Sequence, residues 1–446
     1  MSEKKKDLYW LKSAVLTVLQ SMSGVLLGFG SFYMLVRLLT KYEFGAWTLF
    51  TATTTILEFI RNGLVQSALI KFLSGAQPAE RPKIISASFT ISGALTIVFI
   101  ILNFCCANFL AQLWKIQELL PMFLCYNFVF VFSGFLTQFQ SIEQSGFKFN
   151  GIFISTLIRQ GGLFIYIACA YLLHFKLSLV NLVYVQIAST FISSIISYLF
   201  VRKSFKIAFS FQKEWILKLF DYGKYAFGTT ISAMLSNSID QMMLGGILSA
   251  ASAGAYNVAV RITNLVEIPT SSIATIVFPQ SARRIESDGK EAVKYLYEKS
   301  VGAVLAILTP GLIFLFVFAN YIVEFIAGQT YADTIPVLRV TILYCLLIPY
   351  GRQFGTVLDS MGKPKLTFIT VIITGAINAL LNYLLIKKMG VMGAAWATLA
   401  SNVIGFFVAQ VILKRELGVN FGNTWRYALG FYPELYKKYL KPVLAR

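Results

Sequence analysis

Leu39-Thr-Lys-Tyr-Glu-Phe-Gly45-Ala46-Trp47 is answered 209 residues later by Leu248-Ser-Ala-Ala-Ser-Ala-Gly254-Ala255-Tyr256. In each copy a glutamate, Glu58 or Glu267, stands thirteen residues past the glycine. Five of the 22 pairs from Leu39 to Ile60 are identical, a thin match whose weight comes from falling at the same point of each half. Around both copies the chain is almost entirely apolar. A membrane protein whose halves repeat one hairpin is usually built as two bundles around a central site. The repeat therefore points to a transporter.

The composition agrees. The 446 residues are 57% hydrophobic and 13% charged, about half the charged fraction of an average soluble domain. Apolar runs of about 20 residues, the length needed to cross a bilayer, fall at 13–36, 45–70, 84–111, 119–141, 151–173, 178–201, 224–248, 254–279, 300–325, 334–358, 365–386 and 390–413. The expected fold is an all-α membrane protein of about twelve transmembrane helices in two six-helix lobes. The first run is too long for a signal-peptide core and no small-residue cleavage site follows it, so it is expected to remain as a helix. Of 39 Lys and Arg, six lie at the ends assigned outside, five lie within spans, and the other 28 fall in the tails and alternate loops. By the positive-inside rule both termini are cytoplasmic. The net charge of +19 reflects that bias and attraction to anionic lipid heads, and no nucleic-acid partner is expected. Cys105, Cys106, Cys125, Cys169 and Cys345 all fall in spans without metal-type spacing, so no metal site or cofactor is expected.

The organisation read from the chain is an N-terminal six-helix lobe at 1–201, an interfacial linker at 202–223, a C-terminal six-helix lobe at 224–413 and an amphipathic cytoplasmic tail at 414–446. A fainter echo, Glu143-Gln-Ser-Gly146 against Asp359-Ser-Met-Gly362, supports the duplication. Each lobe starts and ends in the cytoplasm, which implies an axis along the membrane normal and a cleft enclosed by the halves. Pro310-Gly311 and Pro349-Tyr350-Gly351 read as architectural kinks in the ninth and tenth spans.

Ionisable groups inside spans locate the expected site, because each costs about 2.5–3.5 kcal/mol at mid-bilayer unless it faces an interior or water. In the eighth span Asn257, Arg261, Asn264, Glu267 and Ser271 follow steps of 4, 3, 3 and 4. On one continuous helix they occupy an arc of about 120°. The seventh span carries a similar stripe, Tyr225, Thr229, Ser232, Ser236 and Asp240. Two readings of Asp240 and Arg261 stay open: a salt bridge fixing the hairpin, or a cation lining the cleft with Asp240 as gate or proton-responsive partner. Glu58 and Arg61, three apart, can pair locally. Arg159 has no acid near it in sequence and is a candidate to meet an external anion, unless another helix supplies a partner such as Glu58. Arg352 is similar in kind, whereas Arg339 near a span end is given little weight. Arginine binds phosphate through a planar fork and keeps its proton, so Arg261, Arg159, Arg352 and Arg61, with Asn257 and Asn264, are the candidate site for a phosphorylated, anionic substrate. Asp240, Glu58 and Glu267 are the candidates for gating or ion coupling.

These residues carry a resemblance. The Leu39–Gly45 turn, Asp240-Gln-Met-Met-Leu-Gly245 with Gly254-Ala-Tyr256-Asn-Val-Ala-Val-Arg261, Phe278-Pro279, Gly362-Lys363-Pro364-Lys365 and Gly390-Val-Met-Gly393-Ala-Ala-Trp396 together resemble the Wzx-like oligosaccharide flippases of the multidrug/oligosaccharidyl-lipid/polysaccharide exporter superfamily. The resemblance runs over essentially the whole chain. It implies alternating access, a polyprenyl-pyrophosphate oligosaccharide as substrate, a bacterial inner-membrane location, membrane lipids as neighbours and polysaccharide polymerase machinery as partner. It also implies a cavity lined with cations, one of them at the position of Arg261. One departure is Lys224-Tyr225, where family members often have a proline. The rivals are multidrug efflux, which favours acidic and aromatic cavities, lipid II flippases, which typically carry two further helices, and a membrane-bound glycosyl- or acyltransferase. The last needs an intramembrane histidine, an acidic metal motif or a large loop domain. The chain has one histidine, His174 at a span end, and no Asp-x-Asp, so no enzymatic activity is expected.

Overall fold

A computed structural model describes residues 3–146, 148–203 and 212–435, and the side chains of 3–18, 21, 64, 224–237, 279 and 434–435 lie outside the described set. Lys224-Tyr225, the stripe from Tyr225 to Ser236, Pro279, part of the 202–223 linker and the tail beyond 435 therefore lie wholly or in side-chain detail outside the described residues. Every regular element among the described residues is helical. Among the described residues eight stretches are long and apolar enough to cross a membrane: Arg81–Leu113, Leu119–Ser145, Asn150–Leu173, Leu179–Val201, Gly289–Val317, Thr334–Ser360, Pro364–Met389 and Val391–Leu417. The protein is a multi-pass membrane protein.

The chain divides into two compact units, Met1–Met234 with Ser249–Ala251, and Leu235–Leu248 with Ser252–Arg446. The first contains α1 (Glu3–Leu38), α2 (Lys41–Ser74), α3 (Arg81–Leu113), α4 (Leu119–Ser145), α5 (Asn150–Leu173), α6 (Leu179–Val201) and most of α7 (Lys213–Ile247). In it α4 packs on α2, α3 and α6, while α5 packs on α1 and α6. The tight turn into α2 has a local cause. Thr40 accepts from the Glu43 backbone N–H, and the Glu43 carboxylate accepts from the Thr40 N–H at 2.9 Å, a reciprocal cap that satisfies both ends of the turn. Gly45 one turn later is needed for close approach: a Cβ there would sit 1.8 Å from the Ala250 carbonyl oxygen of the same unit.

The second unit contains the end of α7, most of α8 (Ala250–Thr263), α9 (Glu267–Ser287), α10 (Gly289–Val317), α11 (Ala319–Ala327), α12 (Thr334–Cys345), α13 (Ile348–Ser360), α14 (Pro364–Met389), α15 (Val391–Leu417) and α16 (Phe421–Leu435). Helices α14 and α15 form a tight hairpin, and α9, α10 and α13 pack together. Gly390 takes φ +61°, and a Cβ on Gly393 would meet the Leu385 carbonyl at 2.1 Å, so the hairpin turn requires glycine twice.

Two expectations change here and a third is met. The eighth span is not one helix: α8 stops at Thr263 and a 3-10 turn, Asn264–Val266, leads into α9. Pro269 explains the break, because it cannot donate to the carbonyl four residues back and its ring crowds that carbonyl. The ninth span ends its long helix at Val317, continuing through Pro310, and turns into the short α11. The tenth is split at Leu346–Leu347, with Pro349 in the first turn of α13, where the expected kink falls. In the tail, α16 docks along α10, with Tyr432 donating to the Ala306 carbonyl at 2.6 Å, and it also reaches α13, where the Tyr350 hydroxyl meets that of Thr424 at 2.9 Å.

Packing is arranged for lipid rather than water. Large apolar side chains such as Phe104, Ile97, Leu172, Leu173 and Phe325 are exposed, while several polar side chains are turned inward and bonded between helices. Asn103 of α3 donates to the Phe123 carbonyl at 2.6 Å and to Asn127 at 2.8 Å on α4, and Ser88 bonds Gln138. Such interhelical bonds contribute about 0.6 kcal/mol each in a bilayer.

Candidate functional site

The in-span charges fall into two classes, and burial separates them. Arg61 on α2 is 1% exposed and donates to the Phe130 carbonyl, to Ser133 Oγ at 2.9 Å and to Asn62 Oδ1 at 3.1 and 3.2 Å. It ties α2 to α4. The local pairing of Glu58 with Arg61 does not form, because the Arg61 fork is already taken by α4. Glu58 faces α5 instead: its Oε2 lies 3.8 Å from Arg159 Nη1, and its Oε1 accepts from the Tyr126 hydroxyl at 3.2 Å. The Arg159 side chain keeps 39% of its surface exposed.

In the second unit Glu267, the first residue of α9, accepts from Arg352 Nη2 of α13 at 2.6 Å, with 40% and 47% of the two side chains exposed. Both partners sit beside a helix interruption, Glu267 after the 3-10 turn and Arg352 in the turn that follows the Leu346–Leu347 break. Ion pairs this accessible to solvent are worth about 0–1 kcal/mol. The Glu267–Arg352 pair is thus held far less firmly than the clasp around Arg61.

Arg261 is the exception to both classes. It lies in the last turn of α8, it is exposed, and it makes no ion pair or side-chain hydrogen bond with any described residue. Asn257 on the same helix is buried, whereas Asn264, in the 3-10 turn, is exposed. The break ends the single polar arc expected over Asn257–Ser271. Arg339 donates to Asn320 at 3.3 Å near a helix end.

Asp240 does not pair with Arg261, so the salt-bridge reading of the hairpin falls. At 6% exposure its carboxylate is instead served by neutral donors: Tyr256 Oη at 2.8 Å and Thr398 Oγ1 at 2.7 Å on one oxygen, Asn382 Nδ2 at 2.6 Å on the other. Asn378 adjoins them, accepting from Asn382 at 3.0 Å and donating to Ser401 at 3.2 Å. The Asn382 carbonyl oxygen is buried there without a hydrogen-bond donor. A buried carboxylate beside an unmet oxygen acceptor is a place for a small cation or a proton. Sequence reasoning found Asp240 but missed the α14 and α15 residues around it. Asn378 and Asn382 one turn apart in an otherwise apolar helix were the available signal.

Each unit thus holds accessible arginines on apolar helices, and the second adds a buried acidic pocket. Solved structures share the fold at low identity: a lipid II flippase, MurJ, in an inward closed conformation (TM-score 0.78, 17% identity, 97% of this chain and 93% of that one) and an inward-facing multidrug resistance MATE family transporter of the MOP superfamily (TM-score 0.77, 15% identity, 90% and 98%). The chain therefore shares the fold of these two transporters. Residues 34–336, more than half of the chain, match the family described as polysaccharide biosynthesis protein, and the chain belongs to that family. It is 23% identical over 422 residues, 92% of its length and 80% of the other, to the lipopolysaccharide biosynthesis protein WzxC of Escherichia coli. It is also 23% identical over 203 residues to the probable low-salt glycan biosynthesis flippase Agl15 of Haloferax volcanii, spanning 43% of that relative. The resemblance to Wzx-like flippases is upheld by this family and these relatives.

Proposed function

We propose that this protein is a flippase that moves a lipid-linked oligosaccharide, carried on a polyprenyl diphosphate, to the outer leaflet of a bacterial inner membrane for surface polysaccharide synthesis. The observation that carries the reading is Arg261, an accessible guanidinium on an apolar span with no counter-anion among the described residues. Such a group is costly in a membrane unless an anion visits it, and a diphosphate suits its planar fork. Twelve spans with both termini cytoplasmic, alternating access of the two units, and delivery to a polymerase complete the proposal. Transport, not a covalent reaction, is the activity.

The pocket at Asp240 is the ion-coupling site of this reading, with Asn382 Oδ1 and Thr398 Oγ1 as the neutral oxygens beside the carboxylate. Asp240→Asn is expected to abolish the response of translocation to an imposed cation or proton gradient in proteoliposomes. An unaltered response removes Asp240 from the coupling.

The fold does not separate a flippase from multidrug efflux, since both kinds of structure match it. The arginines do, because cationic drugs are repelled by them. Deleting the gene in its native host and weighing the extracted lipids by mass spectrometry tests the choice. Accumulation of a complete, unpolymerised lipid-linked repeat unit with loss of surface polysaccharide is expected. An unchanged lipid pool with new sensitivity to cationic drugs would assign the protein to efflux.

A further inference from the structure

The glutamates of the repeat recur at one position, thirteen residues past Gly45 and Gly254, and in both units each holds an arginine. The arginines themselves do not follow the repeat. Arg159 comes from α5, 101 residues after Glu58, while Arg352 comes from α13, 85 residues after Glu267. What the duplication keeps is the anion, and each unit has brought a cation to it from a different place.

Neither pair is built as a brace. Arg61 shows what a structural guanidinium looks like in this protein: fully buried, with neutral acceptors on both sides of its fork. Arg159 and Arg352 each touch one carboxylate and leave 39% and 47% of the side chain open. That open fraction is where a second anion can approach without first breaking helix packing.

We propose that Glu58 and Glu267 are exchangeable counter-anions. Each occupies the arginine of its own unit until the diphosphate of an entering substrate takes its place, and each returns to that arginine as the substrate leaves. The inference rests on the reading of the protein as a flippase for a diphosphate-linked lipid. Its physical basis is competition. An arginine left bare between cycles is costly in a low-dielectric setting, and a bare arginine in either unit would hold a diphosphate more tightly than one with a resident carboxylate. A resident carboxylate lowers the first cost and weakens binding by the same amount, so the substrate can both enter and leave. Arg261, which has no resident anion, makes the first contact.

The test uses the full-length protein in lipid nanodiscs, with a short-chain polyprenyl diphosphate as probe and the matching polyprenol as uncharged control. Glu58→Gln and Glu267→Gln are each expected to bind the diphosphate up to about fivefold tighter, the scale of removing one solvent-accessible competing pair. Binding of the polyprenol should not change. In proteoliposomes both variants should translocate the lipid more slowly, because release is impeded. Glu267→Asp, which keeps the charge, should restore wild-type affinity. Variants that are as thermally stable as the wild type yet bind the diphosphate equally or more weakly would overturn the inference alone, making the glutamates braces or substrate ligands. A wild-type protein that binds polyprenol and polyprenyl diphosphate alike would overturn the flippase reading and this inference together.

Discussion

The two copies of the repeated hairpin share their opening turn and part in backbone course where a proline enters. In the first, α2 runs unbroken from Lys41 to Ser74; in the second, the matching stretch stops at Thr263, turns through Asn264–Val266 and restarts as α9. At the offset of 209, Pro269 stands where the first copy has Ile60. One proline therefore converts a rigid strut into two helices joined by a turn. The polar residues follow this difference. The unbroken copy carries a clasped arginine, Arg61, while the broken copy carries an open one, Arg261, where the first copy has Ala52. The two copies share the turn and the glutamate; they differ in whether the helix is broken and whether its arginine is clasped or open.

The largest effect expected from attacking this comparison comes from the shared glycine. Gly45→Ala places a methyl group 1.8 Å from the Ala250 carbonyl, beyond the strain of about 1–3 kcal/mol that overpacked cores absorb. Loss of monodisperse protein on size-exclusion chromatography is expected, whereas Gly75→Ala, with nothing within 4 Å, should behave as wild type. Normal folding of Gly45→Ala would show that the approach of the two backbones is not needed.

Next come the two arginines. Arg61→Leu removes the buried guanidinium's bonds to the Phe130 carbonyl and Ser133, and each hydrogen bond to a charged group is worth about 1.5–3 kcal/mol. A clear fall in melting temperature is expected. Arg261→Gln should leave the melting temperature unchanged and reduce translocation at least about tenfold, the loss of one charge-assisted contact to a phosphate. Equal effects on stability from both would erase the distinction between clasp and open site.

The proline itself can be exchanged across the repeat. Ile60→Pro should cost about 3 kcal/mol or more by breaking α2. Pro269→Ile should instead be stable, since it restores a backbone hydrogen bond, and should slow transport by stiffening the turn beside Glu267. A transport rate unaffected by Pro269→Ile would make the break architectural only. The smallest effect is expected at the start of α7, ahead of its apolar span. Lys218, 2.6 Å from Glu214, holds that carboxyl below the usual carboxylate range. The contribution is present above the ordinary carboxylate pKa and is lost as pH falls through the lowered one. The pair is so exposed that Glu214→Gln should not move the melting temperature at pH 7.

Much of this was legible in the residues. Apolar runs marked the crossing helices because a bilayer demands length and apolarity in every span, and the positions of charge within those runs picked out the arginines and glutamates. The partners were not legible. Glu58 meets Arg159 rather than Arg61, although Arg61 is nearer in sequence, because α4 presents a carbonyl and a hydroxyl that occupy the Arg61 fork. The arc on the eighth span assumed one straight helix, and Pro269, visible in the sequence, already argued against it.

By itself the sequence determined the membrane class, the duplication and the identity of the charged residues, since all three follow from composition and spacing along one chain. Only the tertiary structure decided which charges are clasped, which are paired at an accessible surface and which stand alone. It also decided that Asp240 is held by Tyr256, Asn382 and Thr398 rather than by Arg261. The physical reason is the same throughout. In an apolar interior a polar group is satisfied by whichever donor or acceptor the neighbouring helix brings within 3 Å or so. That neighbour is set by packing between helices, which leaves no periodic trace in either sequence segment.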